Sequence, residues 1–242
     1  MERQALPQVD APRAGVTLSG MGATWKRYRG GVGIGLILLI ALPFYLHSLG
    51  RGLSLGSAEE QAVSRFITAD RAATWSVYAH MVVGGLLTAL APVQLSGALR
   101  RRFARLHHWN GRLVAALAVL TGLAGLFYIA RQGTIGGPWM SAGFALYGVL
   151  LVVAALQTVR FARVRDPRHA VWAGRLVILA LASFFYRVQY TLWVVVAGEV
   201  GMAPDFTGPF DRVMVFGFYL PWLAVHELAR RWRGRRAVPG LA

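Results

Sequence analysis

Leu99-Arg-Arg-Arg-Phe-Ala-Arg-Leu-His-His-Trp-Asn-Gly-Arg-Leu-Val114 is a basic corner between two long apolar runs. A near copy returns as Arg160-Phe-Ala-Arg-Val-Arg-Asp-Pro-Arg-His-Ala-Val-Trp-Ala-Gly-Arg-Leu-Val177. Both end in Trp-x-Gly-Arg-Leu-Val, so Trp109 and Trp172, Gly111 and Gly174, and Arg112 and Arg175 hold equivalent places. Each copy closes one apolar run, crosses a polar interval that carries histidine, and opens the next. A repeat of this kind implies related structural units in sequence.

The runs on either side set the class. The chain is 56% hydrophobic and 15% charged, and its apolar residues lie in stretches of about twenty, the length a helix needs to cross roughly 30 Å of hydrocarbon. The pattern predicts an all-α, polytopic bundle with six spans: Gly30–Leu49, Thr74–Gly97, Trp109–Ile129, Trp139–Val159, Ala170–Ala197 and Arg212–Ala229. Residues 1–29, with two prolines and no apolar period, read as a flexible tail. Residues 30–229 read as the membrane domain, and 230–242 as a basic tail.

The net charge of +16 is distributed by side. The start of the chain, the two repeated corners and the end of the chain each carry five Lys or Arg; the alternate loops carry Arg51, Arg65, Arg71, Arg131 and Arg212, and Arg187 falls inside a span. Six of the ten acids, Glu59, Glu60, Asp70, Glu199, Asp205 and Asp211, lie on the poorer side. The positive-inside rule then puts both termini and both corners in the cytoplasm, facing anionic lipid headgroups, and no nucleic-acid partner is needed to explain the charge. The chain has no cysteine, which removes disulfides, thiolate metal sites and cysteine nucleophiles. Arginine outnumbers lysine 25 to one, a composition that fits a GC-rich bacterium and hence a bacterial inner membrane.

Polar residues inside spans are the informative ones, because each is costly in hydrocarbon. His80 falls in the second span, with Gly84 and Thr88 following on the same face. The small residues leave room either for a flat ligand or for a neighbouring helix, with His80 hydrogen-bonded across the contact. Arg187 falls in the fifth span beside Tyr186, Gln189 and Tyr190, at a depth close to that of His80. The spacing predicts an outer ligand cavity lined by His80, Arg187, Gln189 and Tyr190. The third span carries Gly111, Ala115, Ala118, Gly122 and Gly125 at alternating steps of four and three, a smooth stripe for close helix packing. His108 and Arg112 share a face at its start. His47 reads as interfacial. Ser57-Ala-Glu-Glu-Gln-Ala-Val-Ser-Arg-Phe-Ile67 reads as a short helix capped by Ser57, with Phe66 and Ile67 toward the bilayer, and residues 50–73 serve either as lid or as surface helix.

The set His80-x3-Gly84-Gly85, Pro92-x-Gln94, Leu99-Arg100-x-Arg102, His108-x2-Gly111-Arg112, Gly136-Gly137, Gly143-Phe144 and His169-x2-Trp172-x2-Arg175 resembles the predicted bacterial membrane proteins of the DUF2306 family over about residues 75–200. That family usually has a basic residue after the second histidine, where this chain has Ala170 after His169 and Trp109 after His108. The resemblance implies a helical membrane fold and no particular activity.

The sites supply the functional reading. His108 and His169, at the starts of spans 3 and 5, are candidate axial ligands for a b-type haem iron, with Arg112 and Arg175 to pair with propionates and His80 as an outer counterpart. The arrangement is similar to cytochrome b561 and ferric-reductase bundles and predicts an electron-transfer protein. A transporter or small-ligand binder using the outer cavity is the alternative, and a structural or partner-binding membrane protein is a third. No nucleophile with a base, carboxylate pair or His-Glu metal motif appears in a span, so the pattern gives no enzyme site.

Overall fold

The computed structural model describes residues 18–236, with side chains described for residues 31–233. Nine α-helices are present among the described residues, with no strand: α1 (Leu18–Leu53), α2 (Ala58–Val63), α3 (Arg71–Leu90), α4 (Gly97–Arg102), α5 (Ala104–Gln132), α6 (Gly137–Arg163), α7 (Arg168–Ala197), α8 (Pro209–Gly217) and α9 (Leu220–Arg236). Five helical stretches are long and apolar enough to cross a membrane: 31–56, 71–95, 104–132, 137–163 and 168–197. The expected flexible tail lies outside the described residues as far as residue 17. From Leu18 the backbone is already helical and runs straight into the first span. Of the basic tail, residues 237–242 lie outside the described residues.

Local chemistry sets the helix ends. Asp70 caps α3 by accepting from the backbone N–H groups of Ala72 and Ala73. Gly133 and Gly198, at φ of 71° and 63°, stop α5 and α7 in a backbone region that side chains disfavour. Pro138 starts α6 within its first two positions, where a missing N–H costs nothing.

The stretch expected as a sixth span is broken in two and is not among the five helices long and apolar enough to cross a membrane. The apolar stretch read as Arg212–Ala229 folds as α8 and α9 with an interruption at Phe218–Tyr219. Pro221 explains the break, since it has no N–H to offer the Gly217 carbonyl four residues back. The two pieces nevertheless run the length of α7 in antiparallel order. Tyr190 donates to Asp211 at 2.7 Å, Gln189 to the Gly217 carbonyl at 3.4 Å, and Arg175 to Glu227 at 2.7 Å, while Gly174 abuts His226. Residue numbers fall along α7 as they rise along α8 and α9. The segment therefore returns to the end from which α7 began.

The helices alternate in direction throughout. α1 packs along α3, with Ser48 Oγ donating to the Met81 carbonyl at 2.8 Å and Gly85 seated against Leu49 and the Tyr45 carbonyl. Beyond α3 come α5, α6 and α7 in succession, and α7 closes back on α3 where Thr88 Oγ1 reaches the Ala180 carbonyl at 3.2 Å. The arginine-rich corners around α4 and before α7 thus share one end of the bundle, here termed the hinge end, with the start of α1 and the finish of α9.

The core lies where these four helices meet, around Leu87, Val114, Leu151, Leu179, Phe218 and Tyr219, each at most 2% exposed. Gly122 and Gly148 set the α5–α6 crossing, with a Cβ at Gly122 falling 3.0 Å from the Gly148 carbonyl. The small-residue stripe on α5 does pack, but against several partners: Gly111 meets Gln94, Gly122 meets α6 and Gly125 meets His80.

The outer loop departs from its expected orientation. Ser57 caps α2 as the pattern predicts, accepting from Glu60 N–H. The helix ends at Val63, so Phe66 falls beyond it and turns inward against the ring of Tyr128, 6.2 Å away, with Arg51 and Arg65 over its face. Glu60 pins the loop by pairing with Arg51 at 3.3 Å and accepting from the Tyr78 hydroxyl.

Candidate functional site

Most interhelical polar side chains here bond a backbone carbonyl on a neighbouring helix, a pattern that satisfies polar groups where water is excluded. His80 follows it: Nδ1 lies 2.9 Å from the Thr121 carbonyl. Gly125, one turn beyond Thr121, makes the approach possible, since a Cβ there would stand 3.0 Å from His80 Nδ1. A carbonyl oxygen only accepts, so Nδ1 carries the proton and Nε2 presents a lone pair in the neutral ring.

His169 is held in the same way. Its Nδ1 lies 3.1 Å from the carbonyl of Thr158 on α6, which again fixes the tautomer and leaves Nε2 as the acceptor. This is the outer-shell arrangement typical of a metal-ligating imidazole. His169 and His80 lie at opposite ends of the bundle and do not face each other.

Of the two histidines in the first corner, His107 is the more buried. His108 is exposed, whereas His107 is half-buried with an Nδ1 that has no partner among the described residues. The two rings lie 6.0 Å apart, and His107 is within electrostatic reach of His108, Arg100 and His169. Gln94 fastens the His107 backbone by donating to its carbonyl at 3.3 Å. The register of the repeat contains the signal that favours this: Trp109 and Trp172 are 63 residues apart, which aligns His169 with Leu106, so His107 is the nearer neighbour.

Each repeated motif has a local job. Arg112 lies over Trp109 at 5.5 Å and Arg175 over Trp172 at 4.2 Å, a cation–π pair three residues apart in both copies. Arg175 is also paired with Glu227 at 2.5 Å, and Glu227 with Arg230 at 3.0 Å. Gly174 forms a notch for His226, whose Nε2 is buried with no partner among the described residues, as is Oε1 of Gln157 on α6. The hinge end therefore gathers His107, His169, His226 and Gln157 from α5, α7, α9 and α6. No group of three or more acidic, histidine or cysteine side chains with metal-binding geometry occurs among the described residues.

The residues expected around the outer cavity divide into two sets. Tyr190 and Gln189 are engaged with α8, through Asp211 and the Gly217 carbonyl. Asp211 is 1% exposed and also accepts from the backbone N–H groups of Ala203 and Gly208 at 2.9 and 3.1 Å. It ties the segment after α7 to the helix pair, a role that nothing in its sequence context announces. Arg187 instead lies over the Phe44 ring on α1 at 4.8 Å, within electrostatic reach of His80. His47 is exposed near the same end.

A family model described as a predicted membrane protein (DUF2306) matches residues 77–229, from three residues before His80 to two beyond Glu227. Comparison with curated proteins and with solved structures gave no match.

Proposed function

The chain belongs to the DUF2306 family of predicted membrane proteins, and from the histidines at its hinge end we propose that it is a b-type haem-binding, electron-transferring protein of a bacterial inner membrane. His169 and His107, at the hinge end, are the residues that would hold the haem iron. The observation that carries this reading is the hydrogen bond from His169 Nδ1 to the Thr158 carbonyl, because it orients the ring and leaves Nε2 free for iron. His107 supplies the second imidazole in place of the exposed His108. Bound there, the haem would supply a one-electron couple.

The surrounding residues fit that group. Arg100 acts electrostatically on His107 and offers a propionate partner. Arg112 is stacked on Trp109 with its guanidinium edge open to a carboxylate, while Arg175 is already satisfied by Glu227. The positive-inside rule places this end in the cytoplasm, where the arginines also meet anionic lipid headgroups and a soluble redox partner has access.

A reduced-minus-oxidised absorption spectrum of the detergent-purified protein tests the proposal. A b-type band is expected, lost in His169→Ala and His107→Ala and retained in His108→Ala and His47→Ala. A colourless protein without iron, from cells supplied with haem precursor, overturns it.

A further inference from the structure

Arg187 has no counter-charge among the described residues. It lies ten residues before the end of α7, about 15 Å along the helix axis, and among the described residues no carboxylate pairs with it. Among the described residues its side chain makes one hydrogen bond, from Nη1 to the Ser183 carbonyl at 3.3 Å. A guanidinium has five N–H donors and does not lose its proton, so at this depth it requires an anion or a wet surface.

Its surroundings follow from the helix register. Thr88 on α3 bonds the Ala180 carbonyl on α7, and the two helices are antiparallel. Two turns toward the far end from this contact lie Met81, beside His80, on α3 and Arg187 on α7. Ser48 of α1 bonds the Met81 carbonyl, which brings α1 to the same level. Phe44, one turn along α1, places its ring under the guanidinium and 6.1 Å from the Phe184 ring. The guanidinium therefore has one aromatic face and an exposed side chain, and His80 Nε2 has no partner among the described residues.

We propose that the site formed by Arg187 and the Phe44 ring beneath it binds the oxyanion of an amphiphile, a carboxylate or a phosphate, with its hydrocarbon chain lying along the apolar surface of α1 and α7. Arg187 forks the two oxygens, the geometry in which arginine exceeds a point charge. Phe44 holds the guanidinium in the plane needed for that fork. This site is independent of the haem reading, since it involves the opposite half of the bundle and none of the proposed iron ligands.

The test uses the full-length protein in dodecyl maltoside, titrated with laurate, dodecanol, dilauroylphosphatidylglycerol or dilauroylphosphatidylcholine, and followed by thermal midpoint and native mass spectrometry. Laurate or the anionic phospholipid is expected to bind and raise the midpoint, with dodecanol at least about tenfold weaker. A response to laurate alone identifies a carboxylate ligand, and a response to phosphatidylglycerol alone a phospholipid phosphate. Arg187→Gln should weaken either by about tenfold or more. Equal binding of dodecanol and laurate, no binding of any anion, or an undiminished response in Arg187→Gln overturns the proposal. Should Arg187→Gln fail to fold, the laurate-to-dodecanol comparison in the unaltered protein decides, with Phe44→Leu as the second variant expected to weaken binding.

Discussion

Gln189 supplies with its side chain the hydrogen bond that the backbone cannot make at Gly217. The carbonyl of Gly217 would receive its helical bond from residue 221, which is proline, and Gln189 Nε2 reaches it from α7 at 3.4 Å. The break between α8 and α9 is thus stapled to α7. Gln189→Leu should lower stability by about 1 kcal/mol, the cost of leaving one buried carbonyl unpaired. Pro221→Ala restores an intrahelical donor, so the same Gln189→Leu change in a Pro221→Ala background should cost measurably less. A double-mutant cycle on thermal midpoints in detergent checks this, and strict additivity would show that the two residues are not coupled.

Glycine replacements should rank by what the new methyl meets. At Gly122 it would fall 2.6 Å from Val152 Cγ2 and 3.0 Å from the Gly148 carbonyl, which cannot move without shifting α6. At Gly174 it would fall 2.6 Å from His226 Cε1, and at Gly111 3.2 Å from the Gln94 side-chain oxygen, the mobile end of a flexible chain. Gly122→Ala is therefore expected to cost most, about 1–3 kcal/mol, and Gly111→Ala least. Gly174→Ala should fall between and displace His226. Thermal midpoints of the three variants give the order directly, and a Gly111→Ala cost equal to that of Gly122→Ala would contradict it.

The apolar runs made the bundle legible in the sequence, because hydrocarbon thickness dictates helix length and the Trp-x-Gly-Arg repeat marks where helices begin. The close-packing stripe on α5 was legible for the same reason, since steps of three and four define one helix face. The side-chain partners were not. His80 seeks the Thr121 carbonyl because Gly125 exposes it, and a backbone acceptor leaves no trace in a residue pattern. Tyr190 and Asp211 are 21 residues apart with a turn between them, so neither their pairing nor the resulting loss of two cavity residues could be read from spacing. Phe66 is expected to face lipid only if α2 continues; Ser64, whose hydroxyl pairs with the Tyr78 oxygen at 2.8 Å and which ends that helix, redirects it.

The loop between α1 and α3 should loosen in acid. The hydrogen bond from Arg131 holds the Asp70 carboxyl below its usual range, assisted by the N–H groups of Ala73 and Ala72. The Tyr78 hydroxyl does the same for Glu60, with Ser64 and Arg51 adding to it against the opposing effect of burial. A carboxyl with a depressed folded pKa stabilises fully above its unfolded value of about 4 and loses that contribution as pH falls through the folded one. Hydrogen exchange across residues 57–73 should therefore accelerate, relative to intrinsic rates, between about pH 5 and pH 3. Asp70→Asn should flatten part of this response. A pH-independent protection pattern in the unaltered protein would contradict the role given to both carboxylates.

The absence of cysteine makes the topology directly measurable, because any introduced thiol is the only one in the chain. Glu59, Arg101, Pro204 and Arg231 are all exposed, and they sample the far end, the first corner, the turn after α7 and the finish of α9. If arginine-rich corners are retained in the cytoplasm, a membrane-impermeant maleimide added to intact cells should label Glu59→Cys and Pro204→Cys. Arg101→Cys and Arg231→Cys should react only after permeabilisation. The pair Pro204→Cys and Arg231→Cys carries the sharper test, since neither α8 nor α9 is long and apolar enough to span a membrane by itself. Labelling both from outside would mean that α9 does not return alongside α7, which would contradict the contacts of Arg175 with Glu227 and of Gly174 with His226. Labelling of Arg101→Cys from outside would instead invert the whole bundle and remove cytoplasmic access to His107 and His169.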